Sequence, residues 1–113
     1  MEVAIIPDPE FKRQAKRLAK KYHSLKEDII TLQKELIQNP FIGTDLGNNT
    51  HKIRMAILSK GKGKSGGARV ITYVVTLEDD SYKVRLLTIY DKNEIENVSI
   101  SYLRMLISKE DTL

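Results

Sequence analysis

The residues of this chain whose types and spacing suit chemistry are arginine, lysine and tyrosine near the ends of two predicted strands. Arg69 opens a β-branched strand after a glycine-rich loop, and Tyr73 lies on the same predicted face. Tyr90 and Lys92 follow at the end of the next strand, beside Asn93. RNA cleavage requires a base for the 2′-OH proton, cations for the phosphorane and an acid for the 5′ oxygen. Lysine, arginine and tyrosine supply all three when neighbouring charges shift their pKa values.

Each of these residues also has a simpler interpretation. Arg69 is equally compatible with an ordinary phosphate contact or a surface ion pair. Tyr73 and Tyr90 are compatible with half-buried aromatic side chains of a strand. Arg54, on a neighbouring strand, can join either kind of surface. Residue types alone therefore leave both catalysis and simple phosphate binding open.

The loop before Arg69 is strongly basic. Residues 46–77 contain no acidic side chain. Three cations belong to the loop itself, namely Lys60, Lys62 and Lys64. A basic patch of this kind is typical of surfaces that contact a polyanionic backbone.

The fragment Gly63-Lys64-Ser65 resembles part of a nucleotide-binding P-loop, but the pattern is incomplete. Leu58 occupies the position of the first glycine of that motif. A strand is predicted after the loop, whereas a P-loop leads into a helix whose N-terminus holds phosphate. We therefore expect the loop lysines to contact a nucleic-acid backbone and not a nucleotide.

Length and composition indicate one domain, residues 1–113, with 19 Lys and Arg against 15 Asp and Glu. The absence of cysteine excludes disulfides and thiol chemistry. The N-terminus lacks the pattern of a signal peptide and no apolar run is long enough to cross a bilayer, so we expect a cytoplasmic protein without membrane contact. His23 and His51 have no partner at ligand spacing, so we expect neither a metal nor another cofactor.

Hydrophobic periodicity predicts an α+β domain in the order β-α-α-β-β-β-α. A strand over residues 3–6 leads to a helix that Asp8 caps and that runs to about His23, and a Ser24–Glu27 capping box begins a second helix that ends at Asn39. Further predicted elements are a loop over 41–50, strands over 52–59, 68–77 and 83–90, and a helix from Ser99 to about Lys109. We expect a helical hairpin packed on a small, mostly antiparallel sheet, with the helices on one face.

The first predicted helix has one apolar stripe and an opposite basic face. The basic face consists of Lys12, Arg13, Lys16, Arg17, Lys20 and Lys21. A solvated helix face explains this pattern, and a second RNA-facing surface is the alternative interpretation.

Two segments carry a resemblance to a known family. The run Lys62-Gly-Lys64-Ser-Gly-Gly-Ala-Arg69-Val-Ile-Thr-Tyr73, followed by Leu87-Thr-Ile-Tyr90-Asp-Lys92-Asn93-Glu94, resembles the RelE/HigB toxins of bacterial toxin–antitoxin systems. The predicted hairpin and closing helix fit the same family, so the resemblance covers nearly the whole chain. It implies a RelE-like fold and a metal-independent endoribonuclease, or mRNA interferase. Such a toxin enters the ribosomal A site, cleaves mRNA there and is held inactive by a cognate antitoxin.

Matched by motif position, the resemblance implies a role for each site residue. Arg69 contacts the scissile phosphate, Lys92 stabilises charge or acts as the acid, and Tyr90 acts as the base or stacks on a nucleobase. The predicted RNA-binding residues are Arg54, Lys60, Lys62, Lys64, Tyr73 and Asn93. Ala68 departs from the larger residue of many relatives, which leaves less stacking surface at the mouth of the site.

Two other functions remain open from the sequence. The superfamily includes ParE-type gyrase poisons, which share the fold without the RNA chemistry. The chain is also compatible with a non-catalytic RNA-binding module, for which the loop lysines matter and Tyr90 and Lys92 do not.

Overall fold

The elements of the fold are defined by a computed structural model that describes residues 1–95 and 97–111. They are β1 (Glu2–Pro7), α1 (Pro9–Lys21), α2 (Leu25–Gln38), β2 (Thr44–Gly47), β3 (Thr50–Met55), a short 3₁₀ helix (Leu58–Lys60), β4 (Ala68–Thr76), β5 (Ser81–Asp91) and α3 (Ile100–Asp111). The predicted α+β class is confirmed, with one strand more than expected. No helix among the described residues has both the length and the apolar content to cross a bilayer.

The five strands form one mixed sheet in the order β1-β5-β4-β3-β2. The expected mostly antiparallel sheet is confirmed, because β3, β4 and β5 pair antiparallel in chain order, while β1 pairs parallel with β5. The additional strand β2 lies in the segment predicted as a loop and forms a hairpin with β3. Its turn residues Asn48 and Asn49 have φ of 51° and 64°. Asparagine tolerates this left-handed conformation, so the paired asparagines were the available signal for this hairpin.

Helices cover both faces of the sheet, so the expectation that they lie on one face is wrong. On one face, α1 and α2 bury a core that includes Val70, Val84 and Ile89. On the other, Leu103 and Leu106 of α3 pack on a second cluster. Strands that are buried on both faces have near-continuous apolar sequence without clear alternation, as β4 and β5 have.

A β-bulge in the β4–β5 ladder changes which side chains share a face. Ile71 pairs with Thr88 and Thr72 pairs with Leu86, which leaves Leu87 without an opposed residue. Leu86 consequently packs in the α1/α2 core, whereas Leu87 packs under α3. Strict alternation along β5 predicts a common face for Leu86 and Thr88, and the bulge makes that expectation wrong.

All three helices begin where the sequence predicts. The side chains of Asp8 and Ser24, however, do not form the predicted capping hydrogen bonds. Asp8 precedes α1, and its carboxylate bonds Arg85 instead of the helix. Ser24 precedes α2, but the capping box is not formed because the Ser24 hydroxyl donates to Asp28 at 2.8 Å. Ser99 caps α3 as predicted, since its hydroxyl oxygen accepts a hydrogen bond from the Tyr102 amide at 3.1 Å.

Candidate nucleic-acid interface

Three neighbouring strands bring predicted site residues together at one corner of the sheet. Arg54 on β3 lies opposite Arg69 on β4, and Arg69 lies opposite Tyr90 on β5. Directly opposed residues share a face, so this row lies on the side of the sheet that α3 covers in part. Lys92 follows the end of β5 next to the same row.

A pocket of about 270 Å³ opens at this corner. Its lining residues are Lys52, Arg54, Arg69, Lys92, Asn93 and Ile95. Four of these six side chains are cationic, and a concave site of one charge sign concentrates the field that attracts phosphate. The pocket can therefore bind an anion through several contacts at once.

Lys52 is a pocket residue that sequence reasoning missed. It lies two residues before Arg54 on β3, so strand alternation places both side chains on one face. Its ammonium nitrogen lies 3.4 Å from the side-chain oxygen of Asn97. The alternation of side chains along a strand, which grouped Arg69 with Tyr73, also groups Lys52 with Arg54 and was the signal for this residue.

Arg69 combines a pocket position with a structural role. Its side chain is 9% exposed, and the guanidinium donates to the backbone carbonyls of Lys64, Ser65 and Ala68 at 3.1 to 3.2 Å. The loop closes further through a hydrogen bond from the Lys92 amide to the carbonyl of Gly67. The predicted flexible loop is thus folded against the strand that it precedes.

Close packing of backbones explains the second glycine of the Gly66-Gly67 pair. A β-carbon on Gly67 would lie 2.2 Å from the carbonyl oxygen of Met55. Only glycine allows the loop to approach β3 so closely. The next residue, Ala68, is fully buried in the α1/α2 core. The expectation that Ala68 affects stacking at the mouth of the site is therefore wrong, because its side chain faces away from the pocket.

Lys60 is held in a buried cluster at the start of the loop. Its ammonium lies 2.7 Å from Asp91, and the two side chains are 8% and 1% exposed. Asp91 also accepts hydrogen bonds from the Tyr22 hydroxyl and from the Asn93 amide. Burial alone would raise the pKa of Asp91, but these hydrogen bonds outweigh burial and lower it from 3.8 to about 2. The RNA-binding role of Lys60 stays a prediction, and its observed contact anchors the loop.

The two predicted tyrosines do not line the basic pocket. Tyr90 is 2% exposed, and its hydroxyl has no hydrogen-bond partner among the described residues. Burial raises the pKa of Tyr90, an effect that the nearby charge of Arg69 partly offsets. Tyr73 is half-buried beside Arg85 and lines a separate cleft of about 510 Å³ between α3 and the β2–β3 turn.

The remaining predicted contacts lie around the pocket. Lys62 and Lys64 are exposed on the loop, with Lys64 at 4.0 Å from Glu35 of α2. Lys92 and Asn93 are exposed in the turn after β5. Of the predicted residues, the structure thus groups Arg54, Arg69, Lys92 and Asn93 in one pocket and leaves the others outside it.

The geometry of the pocket is the principal guide to function, because comparison with known families does not supply one. A scan against protein-family models found no matching family. Among the side chains that the structure describes, those of residues 1–95 and 97–109, no three His, Asp or Glu groups are close enough together to hold a metal ion.

Proposed function

We propose that this chain is the toxin component of a type II toxin–antitoxin system and cleaves ribosome-bound mRNA in the cytoplasm, with a cognate antitoxin as its inhibitor. The proposal is carried by one observation: Lys52, Arg54, Arg69 and Lys92 converge on a single pocket. The resemblance of the loop and of the Tyr-x-Lys-Asn segment to RelE/HigB toxins agrees with a phosphate site at this position. The ribosomal A site is the place of action that this resemblance implies.

In this proposal the pocket holds the scissile phosphate. The 2′-OH loses its proton to a solvent water, its oxygen attacks phosphorus and the bond to the 5′ oxygen breaks, which leaves a 2′,3′-cyclic phosphate and a 5′-hydroxyl. Arg54 and Arg69 stabilise the charge that gathers on the phosphorane, as fixed cations do at reacting phosphates. Lys92 is exposed beside them and donates a proton to the 5′ oxygen.

Tyr90 fits a proton donor or a structural support better than a base. Burial raises its pKa, so the phenol keeps its proton at neutral pH. Val98 and Tyr102 pack against the cluster that contains Tyr90, and its hydroxyl is covered. The proposal therefore relies on Arg54, Arg69 and Lys92 for contact with the phosphate.

The direct test is to map message ends by primer extension after induction and with purified protein and ribosomes. Wild type should produce new ends that carry a 5′-hydroxyl. Arg54→Gln and Lys92→Gln should each reduce cleavage by roughly 100-fold, the usual cost of losing one stabilising donor. Lys34→Gln is the control, because Lys34 is an exposed cation of α2 outside the pocket.

Three results would contradict the proposal. Intact message in the presence of wild-type protein and ribosomes excludes the nuclease. Cleaved DNA–gyrase complexes without loss of message indicate a gyrase poison. RNA binding that depends on the loop lysines, with no cleavage and no effect of Lys92→Gln, indicates a binding module.

A further inference from the structure

The outer face of α1 carries a second group of cations that the pocket does not use. Six exposed side chains form two rows with a spacing of four residues: Lys12, Lys16 and Lys20 in one, and Arg13, Arg17 and Lys21 in the other. Successive members of a row are about 6 Å apart along the helix axis. The face is therefore a regular array of positive charge on a rigid element.

Acidic residues neutralise little of this array. The single acidic residue of α1, Glu10, pairs with Arg13 at 2.9 Å. Arg17 pairs with Glu94 at 2.7 Å. Among the residues that the structure describes, the four lysines of the face form no ion pair; Lys21 lies 5.4 Å from the ring of Tyr22.

Repulsion within the array indicates that solubility alone does not explain it. Like charges four residues apart lower the stability of a helix, and the row of Lys12, Lys16 and Lys20 consists of such pairs with no acidic partner among the described residues. A helix face that serves only solvation gains stability when acidic and basic residues alternate along it. A bound polyanion would relieve the repulsion, and the release of its counterions would favour binding.

The array lies at the same end of the molecule as the basic pocket. Arg17 contacts Glu94 in the turn that contains Lys92, and Tyr22 after α1 contacts Asp91 at the end of β5. These contacts lie at the edge of the sheet, so an RNA that contacts both surfaces passes around this edge from the α1 face to the pocket.

We propose that the outer face of α1 is a second RNA-binding surface, which holds the phosphate backbone of double-stranded RNA. The identity of the partner as RNA rests on the proposed function. The exposed side chains of α1 include no aromatic ring. Sites for single strands use aromatic side chains to stack bases, whereas an RNA helix hides its bases and presents phosphates. The surface thus fits a structured RNA that positions the protein while the pocket receives a single strand.

The test measures binding of a blunt-ended RNA duplex by fluorescence anisotropy over a series of salt concentrations. Lys16→Gln/Lys20→Gln should weaken binding and reduce the log–log salt slope by roughly 1.8, about 0.9 for each lost phosphate contact. Lys26→Gln/Lys34→Gln makes the same change of charge on the exposed face of α2 and should leave the slope unchanged. Arg54→Gln/Lys92→Gln should abolish cleavage and keep most duplex binding.

The outcomes separate this inference from the proposed nuclease. If wild type cleaves no message, the duplex measurement still tests the α1 surface. If cleavage depends on the pocket but the α1 and α2 variants bind duplex equally, the α1 inference is overturned and the nuclease stands. It is also overturned if the α1 lysines are required for binding to anionic lipid vesicles and not to the duplex.

Discussion

At the residue scale, the cations in and around the pocket differ in whether their charged groups already contact other groups of the protein. Arg54 and Lys92 are exposed at the pocket. Arg69 is buried against two loop carbonyls and the first carbonyl of β4, and Lys60 is buried against Asp91. A substitution at Arg54 or Lys92 therefore probes the ligand, whereas one at Arg69 or Lys60 also changes the fold.

Arg69→Gln should lower both activity and the free energy of unfolding. Loss of the guanidinium removes three hydrogen bonds to the carbonyls of Lys64, Ser65 and Ala68, and a buried polar group left without a partner costs about 1 to 3 kcal/mol. Arg54→Gln, on the neighbouring strand, should change stability by less than about 0.5 kcal/mol because Arg54 is exposed. Urea denaturation of the two variants provides the comparison. Equal stability of the two would show that Arg69 does not support the loop.

Tyr90→Phe should make the protein equally stable or more stable, by up to about 1 kcal/mol. The substitution removes a buried hydroxyl that has no partner among the described residues and keeps the packing of the ring. If the hydroxyl takes part in cleavage, activity falls while stability does not. Tyr102→Phe is the control, because the Tyr102 hydroxyl donates to Glu10 at 3.0 Å and its loss should destabilise. If Tyr90→Phe lowers the free energy of unfolding more than Tyr102→Phe does, the Tyr90 hydroxyl makes a stabilising hydrogen bond and the prediction is wrong.

At the scale of elements, the basic loop is fixed at both ends to the end of β5. Lys60 and Asp91 form the ion pair at its start, and the Lys92 amide bonds Gly67 at its end. Tyr22 brings the end of α1 to the same carboxylate. The geometry of the pocket thus depends on contacts among α1, the loop and β5, which lie far apart in sequence.

Asp91→Asn should remove about 2 kcal/mol of stability at pH 7. The pKa of Asp91 is about 2 in the folded protein against 3.8 for an ordinary aspartate. A lowered carboxylate pKa stabilises the fold fully above pH 4, and this contribution is lost as the pH falls towards 2. Urea denaturation across this range should therefore show wild type and variant converging at low pH. Glu78→Gln, an exposed position, is the control, and a constant difference down to pH 2 would contradict the linkage.

Gly67→Ala should disrupt the loop and the pocket together. The new methyl group would meet the Met55 carbonyl at 2.2 Å, so the backbone of the loop or of β3 must move. Overpacking of this kind costs about 1 to 3 kcal/mol, and cleavage should fall with it. Ser65→Ala changes an exposed position of the same loop and should leave stability unchanged. Thermal unfolding of both variants makes the comparison, and a fully stable Gly67→Ala would disprove the close approach.

At the scale of the whole molecule, one buried ion pair connects the two helical layers through the sheet. Arg85 on β5 donates to Asp8 at the start of α1 at 2.7 and 3.1 Å. The same guanidinium donates to the Leu106 and Ile107 carbonyls of α3. The position of α3 over the second cluster therefore depends on a side chain that also holds α1.

Arg85→Met should destabilise the protein by about 3 to 5 kcal/mol, because Asp8 would remain buried without its partner. The double variant Asp8→Asn/Arg85→Met should lose less than the sum of the two single losses. Arg104→Met, at an exposed arginine of α3, should be near neutral. Urea denaturation of wild type, Asp8→Asn, Arg85→Met and the double variant forms a double-mutant cycle. Additive losses would show that the two side chains do not act as a pair.

The sequence by itself determined the helices and where they begin, the antiparallel strands β3, β4 and β5, the cap at Ser99 and the basic character of the loop. These features follow from hydrophobic period and from short-range turn and cap chemistry, which act within a few residues. The row of Arg54, Arg69 and Tyr90 follows from strand alternation once the strands are paired. Local patterns therefore placed these residues near strand ends, and the register of the paired strands brought them opposite one another.

Only the tertiary structure decided which cations remain available to a ligand and which support the fold. The bulge that turns Leu87 towards α3, the placement of α3 on the second face and the burial of Lys60 and Tyr90 all depend on contacts between distant segments. A lysine has the same sequence pattern whether its ammonium meets water or a buried carboxylate. The group that contacts the ammonium determines whether the lysine supports the fold or can bind a ligand, and the packing of distant segments determines which group that is.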